Sequence, residues 1–419
     1  MGSINGSPDS LRYIAQSYNH ADSQASALRL ILTLNPHWGG PENQIEFVRF
    51  TDGITNTLLK IINRKPGLTE EQIDHEAVLM RAYGNHTEII IDRERETKSH
   101  ALLASYGLAP RLLARFQNGL LYRFIRGRPA THEDLVKPSI WRGVARRLAQ
   151  WHAVLPISEA AAVTSNGSAE DEKPIMHHVD VEQQSEKDDL VPVTPRQPAP
   201  NTWTVLQKWI RALPTTTDEQ RQRRLDLQKE LQRVVKEFDD GKGLGENGLV
   251  FAHCDLLCAN VIAAPSKEES SSDEATTVHF IDYEYATPSP ASFDIANHFA
   301  EWAGYDCDYN MVPTRSVRRQ FLTEYVKSYS HHRGLPESSQ PDIVDQLCRD
   351  VDRYRGIPGL YWGTWALIQA QISQIDFDYA SYAELRLGEY YAWRREVEGT
   401  RAQAGEEMPL RERRWAQEA

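Results

Sequence analysis

The amino-acid sequence predicts an α/β protein of the α+β type with two lobes: a small N-terminal lobe with an antiparallel sheet, and a larger, mainly helical C-terminal lobe. Three observations lead to this fold class. A chain of 419 residues is longer than most single domains. Residues 42–127 show alternating apolar and polar residues between turn signals, which is typical of strands. Residues 128–419 mostly carry apolar residues at helical spacing.

Composition and charge narrow the class of protein. With 40% hydrophobic and 25% charged residues, the chain has the composition of a soluble globular protein. Its net charge of −12 argues against a nucleic-acid partner. The apolar run from Ala27 to Leu34 is too short to cross a bilayer, so we expect no stable membrane insertion. The four cysteines lack metal-ligand spacing with histidine, which indicates a reducing compartment and a cytoplasmic protein.

The first elements have clear local signals. Residues 1–41 are expected to form an N-terminal extension with one short helix that begins at Asp22 or Ser23. A hairpin is predicted from Ile45 to Ile62, with the polar stretch Thr51–Asn56 at its tip. The N-terminal lobe proper therefore starts near residue 42.

Further strands are predicted at Ala77–Ala82, Thr87–Ile91 and Leu120–Ile125. Asp92 is expected to cap a helix that continues to Tyr106. A glycine and a proline at 127–129 predict a hinge between the lobes.

Two polar insertions interrupt the C-terminal lobe. The segment 158–201 is rich in Ala, Ser, Glu, Asp, Gln and Pro, which is typical of disorder, and 266–277 is a second such segment. Core helices are predicted over 140–155, on which His152 is expected to be structural, and over Asp218–Phe238.

Two stretches carry the clearest chemical signal, Phe251–Ile262 and His279–Tyr285. Each contains an apolar run long enough for a buried strand, next to polar residues. A single sheet would bring Asp255, Asn260 and Asp282 to one rim. Phosphoryl transfer needs a carboxylate that orients and deprotonates a hydroxyl, and oxygen ligands that hold Mg²⁺ on phosphates. Asp255 fits the first role, and Asn260 and Asp282 fit the second. Buried strands ending in capped turns are the alternative for either motif alone.

The His-x-Asp spacing, with a later asparagine and a strand-borne aspartate, resembles the catalytic and metal-binding loops of the protein-kinase fold. A lobe of that kind needs a cation over the nucleotide phosphates, and Arg81 with Glu96 on the next helix is the candidate pair. The backbone of the hairpin tip Thr51–Asn56 could cover phosphates. A structural ion pair and an ordinary turn are the alternatives.

Aromatic and acidic residues follow the second stretch. The candidates for a binding pocket are Tyr285, Glu301, Tyr305, Trp362, Trp365 and Tyr382. Trp362 and Trp365 are three positions apart and share a helical face. Aromatic faces attract an organic cation by about 0.5 to 2 kcal/mol, and Glu301 could add a charge-assisted hydrogen bond. Aromatic residues at helical spacing also occur as plain core residues.

Six motifs together carry a resemblance to a known family. They are Thr51-Asp52-Gly53-Ile54-Thr55-Asn56, Met80-Arg81-Ala82-Tyr83-Gly84, His253-Cys254-Asp255-Leu256-Leu257-Cys258-Ala259-Asn260, Ile281-Asp282-Tyr283-Glu284-Tyr285-Ala286, the run from Phe293 to Trp302, and the run from Tyr361 to Ala370. From about Glu42 to Trp393, without the two insertions, the chain resembles the choline/ethanolamine kinase family and its protein-kinase-like fold.

The resemblance implies a role for each site residue. The family's phosphate loop falls on Thr51 to Thr57, its nucleotide-contacting arginine on Arg81, and its adenine hinge on Leu121–Gly127, with Tyr122 and Phe124. Its base falls on Asp255, its Mg²⁺ ligands on Asn260 and Asp282, and its amine pocket on the six aromatic and acidic candidates above.

Three positions depart from the family pattern. Asp52 replaces a usual glycine, Cys254 replaces a usual asparagine, and 287–290 replaces a usual turn with Gly and Tyr. The Asp-Leu-Leu-Cys-x-Asn form that starts at Asp255 favours ethanolamine over choline, because choline kinases usually have Gln in place of Leu257.

The resemblance implies an enzyme that transfers the γ-phosphoryl group of ATP, with Mg²⁺, to the hydroxyl of ethanolamine. Phosphoethanolamine formation would be the first step of the CDP-ethanolamine route to phosphatidylethanolamine. Choline kinase or dual activity is the alternative, and an aminoglycoside-type phosphotransferase and a non-catalytic pseudokinase are more distant ones. A homodimer is compatible with the resemblance.

Overall fold

The computed structural model describes residues 11–50, 57–83, 92–159, 190–196, 198–265, 274–373 and 375–419. The chain forms two compact units. The first unit comprises Met1–Arg147 and Cys258–Glu284, and the second comprises Leu148–Leu257 and Tyr285–Ala419. The first unit therefore extends beyond the predicted lobe limit at residue 127. Among the described residues, no helix has both the length and the apolar character that crossing a membrane requires.

The first unit is built on a six-stranded sheet. Its strands are β1 (Tyr13–Ile14), β2 (Gln44–Phe50), β3 (Thr57–Arg64), β4 (Val78–Ala82), β5 (Leu112–Phe116) and β6 (Gly119–Arg123), in the order β1-β5-β6-β4-β3-β2. All neighbouring strands are antiparallel except β1 and β5. The antiparallel sheet is confirmed, with one parallel pair at its edge. Two residues are too few for a periodic signal, which explains why β1 was not predicted.

The helices of the first unit are α1 (Ser23–Leu34), α2 (Glu70–Glu76), α3 (Arg93–Ser105) and α4 (His132–Leu135). Leu30 and Ile31 of α1 join the core that includes residues of β3 and β4. The N-cap of α3 is Asp92, whose side chain accepts the N–H of Arg95 at 3.0 Å. The predicted starts of α1 and α3 are confirmed. The predicted strand Thr87–Ile91 lies outside the described residues.

A three-stranded sheet of the first unit positions two predicted site residues. Its antiparallel strands are β7 (Arg128–Pro129), β9 (Val261–Ala263) and β10 (Val278–Phe280), in the order β10-β9-β7. The N–H of Ile281 donates to the carbonyl of Asn260 at 3.1 Å. Asn260 therefore lies opposite the residue that precedes Asp282. The residues predicted as a hinge, Arg128–Pro129, are paired in this sheet.

The prediction that a single sheet brings Asp255, Asn260 and Asp282 to one rim is wrong, because in the described residues the strand before Asp255 belongs to a different sheet. The strand β8 (Val250–Ala252), which leads to Asp255, pairs with β11 (Thr287–Ser289) in a two-stranded ladder of the second unit. Asn260 and Asp282 instead belong to the three-stranded sheet of the first unit. Buried strands of three residues carry no alternation that would specify a partner, which is the physical reason for the error.

The second unit is mainly helical. Its helices are α5 (Pro138–Val154), α6 (Thr202–Arg211), α7 (Asp218–Phe238), α8 (Ala291–Glu301), α9 (Arg315–Arg333), α10 (Gln340–Tyr354), α11 (Ile357–Ile372), α12 (Tyr379–Val397), α13 (Thr400–Gln403) and α14 (Leu410–Ala416). The first part of α5, up to Arg147, is assigned to the first unit. The two predicted core helices, α5 and α7, are confirmed. The indole N–H of Trp151 donates to the carbonyl of Phe251 at 2.8 Å, which ties α5 to β8.

The end of the predicted insertion 158–201 is packed against α6. Leu190 is buried, and the N–H of Val193 donates to Gln207 Oε1 at 2.9 Å. Asn201 caps α6 by accepting the N–H of Trp203 at 3.1 Å. The expectation of disorder does not hold for these residues. Residues 160–189 of this insertion and 266–273 of the second lie outside the described part of the chain.

Helices α11 and α12 approach each other closely at Gly359. A Cβ at this position would lie 2.6 Å from the carbonyl oxygen of Arg386 and 3.0 Å from the backbone nitrogen of Tyr390. Backbone atoms cannot rotate away, so only glycine permits this separation. Trp362 and Tyr382 lie on the same two helices, and the close approach therefore sets the spacing of predicted pocket residues.

We expect Gly359→Ala to destabilise the protein by about 1 to 3 kcal/mol, because the added methyl group forces α11 and α12 apart. Gly388→Ala on α12 is the matched control, since its Cβ would meet no atom within 4 Å. That control should gain roughly 0.5 to 1 kcal/mol from helix propensity. Urea unfolding measures both free energies, and shifts of the same sign and size in the two variants would contradict the packing argument.

Candidate active site

The predicted phosphate loop lies mostly outside the described residues. Its first six residues, 51–56, belong to that outside part, so their role stays a prediction. Thr57 begins β3 and is buried, and its hydroxyl lies 3.0 Å from Nε2 of His20. The N-terminal extension therefore contacts the last residue of the predicted loop.

Arg81 on β4 is the centre of a buried charge cluster in the first unit. Its Nη1 lies 3.1 Å from Glu96 Oε1 and 2.8 Å from Asp282 Oδ1. Its Nη2 contacts Glu284. Burial alone would lower the pKa of Arg81, but the three carboxylates outweigh burial and hold the pKa well above its usual range. Arg81 and Glu96 thus form the predicted ion pair, and their role toward a nucleotide stays a prediction.

Two residues that were not predicted complete this cluster. Arg93 Nη1 lies 2.9 Å from Glu96 Oε2 and 3.4 Å from Glu284 Oε2. Burial raises the pKa of Glu284 to about 8, the nearby Asp282 carboxylate adds to the rise, and Arg81 opposes it. Arg93 and Glu96 are three positions apart on α3, a spacing that the sequence shows. The sequence holds no local signal for the pairing of Arg93 with Glu284, because these residues are about 190 positions apart.

The two predicted adenine-hinge residues have different surroundings. The ring of Tyr122 lies edge-on to His100 at 5.0 Å, and burial raises the pKa of Tyr122. The ring of Phe124 stacks on Phe50 with centroids 6.4 Å apart, and the Lys60 ammonium lies 4.0 Å from its centroid. Phe124 therefore contacts the hairpin whose tip is the predicted phosphate loop. Nucleotide contact stays a prediction for both residues.

Asn260 and Asp282 lie at the same end of the β9–β10 hairpin. Asn260 is buried, whereas the Asp282 side chain is 31% exposed. Asp282 has φ 66°, a left-handed conformation that turns the chain after β10. Its Oδ1 is close to Arg81, yet it is one of the buried oxygens that accept no well-aligned hydrogen bond within the described residues. Carboxylate and amide oxygens are ligands that suit Mg²⁺, so this donor set fits the predicted metal.

A Mg²⁺ ion at this hairpin would take most of its ligands from outside the protein. Among the described residues, no group of three or more His, Cys, Asp or Glu side chains could hold a metal ion. Two protein ligands are typical of Mg²⁺ that is bound together with nucleotide phosphates and water.

Asp255 lies in the buried loop after β8, and Asp294 of α8 holds this loop. The Asp294 carboxylate accepts the N–H groups of His253 at 2.9 Å and Cys254 at 2.8 Å. His152 Nε2 lies 3.0 Å from the same carboxylate, which confirms its structural role. Burial alone would raise the pKa of Asp294, but the His152 and backbone N–H contacts lower it below its ordinary value. Asp294 therefore remains an anion that fixes two peptide groups beside Asp255.

Two further side chains of α8 hold the same loop. Asn297 donates to the carbonyl of Cys254 at 3.0 Å, and His298 Nδ1 donates to the carbonyl of Leu256 at 2.8 Å. The indole N–H of Trp302 donates to His298 Nε2 at 3.1 Å, which fixes the imidazole tautomer. Burial lowers the pKa of His298 to about 4, so this ring is neutral near pH 7. The backbone on both sides of Asp255 is thus held by one helix.

Three predicted pocket rings come together beside α11. The indole N–H of Trp362 donates to Asn297 Oδ1 at 2.7 Å, and that of Trp365 donates to the Tyr285 hydroxyl at 2.8 Å. Trp362 lies edge-on to Tyr285 at 5.7 Å and to Trp365 at 5.5 Å. Both indole N–H groups donate within the protein. Binding of a cation by these rings stays a prediction and would use the ring faces.

The other three predicted pocket residues also lie in the second unit. Glu301 ends α8 and is buried, and its Oε1 lies 3.4 Å from Arg386 Nη2. Burial raises the pKa of Glu301, and Arg386 partly offsets the rise. The rings of Tyr305 and Tyr382 are 5.9 Å apart. Tyr382 and Trp365 belong to one apolar cluster, so the two groups of rings are contiguous.

Phe377 is a pocket neighbour that the sequence prediction missed. Its ring lies 5.7 Å from Tyr305 and 5.6 Å from Tyr382, and the residue is 38% exposed. A lone phenylalanine between Asp376 and Asp378 resembles an ordinary loop residue in the sequence. Its place among the rings follows only from the packing of the loop before α12.

The sequence pattern of a known family matches most of this chain. The family described as choline/ethanolamine kinase matches residues 47–391. This chain belongs to the choline/ethanolamine kinase family. All predicted base, metal and pocket residues lie within the matched range.

Relatives in this family are similar to the chain over most of its length. Ethanolamine kinase 1 of Mus musculus is 33% identical over 403 residues, covering 94% of this chain and 96% of its own. A probable ethanolamine kinase of Arabidopsis thaliana is 30% identical over 369 residues, covering 87% and 83%.

Solved structures of the family show the fold. The Plasmodium vivax ethanolamine kinase matches with a TM-score of 0.65 and 23% identity over 89% of each chain. The Cryptosporidium parvum choline kinase matches with a TM-score of 0.61 and 20% identity over 90% of this chain and 97% of its own. The predicted protein-kinase-like fold is confirmed.

Besides the predicted Glu301, the family motif that contains α8 carries three residues that the sequence prediction missed, Asp294, Asn297 and His298, which hold the Asp255 loop. Asp294, Asn297, His298 and Glu301 are spaced i, i+3, i+4 and i+7, which places them on one helical face. That spacing could have indicated that these side chains contact the same neighbouring segment. No sequence signal identifies that segment as the backbone of the Asp255 loop.

We expect Asp294→Asn to destabilise the protein by roughly 3 kcal/mol, because an amide nitrogen would face a backbone N–H in a buried site. The folded-state pKa of Asp294 is depressed, so this contribution is present above the unfolded pKa of about 4 and is lost as the pH falls further. Asp308→Asn is the control, since Asp308 is exposed and also accepts a backbone N–H, at 3.0 Å from Asn310. Urea unfolding at pH 7 that finds equal losses in both variants would contradict the role of Asp294.

Proposed function

We propose that this chain transfers the γ-phosphoryl group of ATP to the hydroxyl of ethanolamine and so forms phosphoethanolamine. The observation that carries the proposal is the single helix face of α8. Asp294, Asn297 and His298 hold the loop of Asp255. Glu301, one turn further on, is close enough to the predicted pocket residues Tyr305 and Tyr382 to raise the pKa of both. Ethanolamine has a hydroxyl and an ammonium group two carbons apart. Helix α8 would thus fix the distance between Asp255, which would accept the hydroxyl proton, and Glu301, which would bind the ammonium group.

Asp255 has the role of base in this proposal. Its carboxylate would orient the substrate hydroxyl and accept its proton as the phosphoryl group is transferred. The hydrogen bonds from α8 to the neighbouring peptide groups would hold Asp255 in place without a change of conformation during the reaction.

Asn260 and Asp282 would hold Mg²⁺, and Arg81 with the phosphate loop would hold the nucleotide. When bound, MgATP supplies the phosphoryl group and the positive charge that neutralises its oxygens. The backbone hydrogen bond from Ile281 to Asn260 supports this role, because it brings Asn260 close to the residue that precedes Asp282. The oxygen-only donor set is consistent with Mg²⁺ rather than zinc.

The pocket supports a small amine as the substrate. Aromatic faces can bind both a primary and a quaternary ammonium, whereas only the primary ammonium can donate hydrogen bonds to Glu301. The relatives described as ethanolamine kinases support the same preference. Choline is the second candidate, because the ring faces suit it as well. The presence of Asp255, Asn260 and Asp282 together disfavours a non-catalytic pseudokinase.

The product would enter phosphatidylethanolamine synthesis as the first intermediate of the CDP-ethanolamine route. We place the protein in the cytoplasm in this proposal. All four cysteines are free thiols in the structure, which is compatible with a reducing compartment.

We expect Asp255→Asn and Asp282→Asn to lower kcat for ethanolamine by roughly 100-fold or more, because proton transfer and metal binding act chiefly in the transition state. Only Asp282→Asn should also raise the Mg²⁺ concentration needed for half-maximal rate. Asp306→Asn, an exposed residue of the second unit, is the control. Steady-state kinetics with Mg²⁺ titration tests both, and near-normal kcat in folded variants would refute these roles.

Amine preference provides a separate prediction. Glu301→Gln should reduce kcat/KM for ethanolamine by roughly 10- to 100-fold and for choline by less, because only ethanolamine loses a charge-assisted hydrogen bond. Trp365→Leu, which removes a ring face and keeps the carboxylate, should reduce kcat/KM for choline at least as much as for ethanolamine. Parallel losses for both amines in both variants would show that the pocket does not distinguish them by N–H count.

A further inference from the structure

Arg386 lies between a pocket carboxylate and a second buried carboxylate. Its side chain is 1% exposed, its Nη2 lies 3.4 Å from Glu301 Oε1, and its Nε lies 3.4 Å from Glu389 Oε2. Its guanidinium is also 5.7 Å from the ring centroid of Tyr382. Arg386 thus contacts two predicted pocket residues, although no pocket motif contains it.

Arg386 belongs to a row of alternating buried charges in the second unit. Beyond Glu389, the row continues to Arg411 at 3.8 Å, to Glu412 at 3.4 Å and to Arg355 at 2.8 Å. Three carboxylates, counting Glu301, alternate with three guanidinium groups, so the fully ionised row is neutral. Removal of one buried charge leaves its neighbours uncompensated.

The groups around Glu301 act on its protonation in opposite directions. Burial raises the pKa of Glu301, Arg386 lowers it, Glu389 raises it and Arg411 lowers it. Other titratable groups that face this region are Tyr305, Tyr309, Tyr382 and Cys307, and burial raises the pKa of all four, so they are neutral near pH 7. Arg386 is therefore the largest influence that keeps Glu301 an anion.

We propose that Arg386 is a positioning residue that holds Glu301 in place as a carboxylate and thereby sets the lower pH limit for recognition of a primary ammonium group. The proposal rests on the proposed function. Without Arg386, the buried Glu301 would take up a proton at a higher pH than in the wild-type protein and so lose the charge that attracts the substrate. A quaternary ammonium, which the ring faces hold, would depend on Arg386 less.

The test compares Arg386→Met, Arg386→Lys and Glu389→Gln over pH 5.5 to 8.5 with saturating MgATP. Arg386→Met should move the acid limb of kcat/KM for ethanolamine up by about one pH unit or more, and should raise KM about tenfold at pH 7 while kcat changes less. Arg386→Lys should recover most of the wild-type profile. Glu389→Gln should move the acid limb down, because the like charge that raises the Glu301 pKa is gone.

Arg318→Met is the matched control for the loss of a buried guanidinium. Arg318 is 3% exposed and pairs with Asp352 at 3.2 Å, and it does not contact Glu301. This variant should lower Tm and leave the pH profile unchanged. Acid limbs of Arg386→Met or Glu389→Gln that coincide with the wild-type limb would overturn the proposal. Opposite shifts in those two variants would support it, and structural damage alone would not produce them.

The outcome is separable from that of the proposed function. A wild-type protein that does not phosphorylate ethanolamine from ATP would refute the proposed function itself. A normal wild-type rate, combined with pH profiles of the Arg386 and Glu389 variants that equal the wild-type profile, would refute only this inference. If Arg386→Met does not fold, the other two variants still test the inference: Glu389→Gln should move the acid limb down, and Arg386→Lys should keep it near the wild-type position.

Discussion

The contact of the buried Asp294 carboxylate with the backbone of His253 and Cys254 is the interaction on which the loop of Asp255 depends. An unpaired charge in a dry interior costs several kcal/mol, so Asp294 stays ionised only while His152 and two backbone N–H groups face it. Those N–H groups would in turn be buried without partners if the carboxylate were absent. The charge and the loop conformation therefore stabilise each other. This contact lets Cys254 keep φ 63°, a left-handed conformation that costs about 1 to 3 kcal/mol.

A second constraint acts in the first unit and is independent of the first. The β9–β10 hairpin places Asn260 opposite Ile281 by a backbone hydrogen bond, so the two candidate metal ligands are fixed by a strand register. Asp282 then turns into the Arg81 cluster, where the balance of buried charges holds its carboxylate. The proposed base is thus positioned by side chains of a helix, and the proposed metal ligands by a sheet. Both sets are held by contacts within the protein, which is what catalysis by positioning would require.

The sequence predicted features with local signals well and features with distant partners poorly. Helix α7 was predicted with its correct limits, because its N-cap and apolar face are both local. The closeness of Asn260 to Asp282 on one sheet was predicted correctly, but Asp255 follows a strand of a different sheet. The error arose because three-residue buried strands carry no alternation from which a partner could be inferred. Arg386 was missed for a related reason: its carboxylate partner Glu301 is 85 positions away, and buried charge pairing has no sequence period.

The internal hydrogen bonds of the pocket rings explain how such a site can choose between amines. Trp362 and Trp365 donate their indole N–H groups to Asn297 and Tyr285, so their faces are what remains for a ligand. Faces attract any organic cation, and the number of rings therefore does not distinguish a primary from a quaternary ammonium. In the proposed function the distinction would fall on Glu301, since a primary ammonium must replace lost water with hydrogen bonds. Because Glu301 is paired with Arg386, amine selectivity would then depend on a row of buried charges as well as on the aromatic residues.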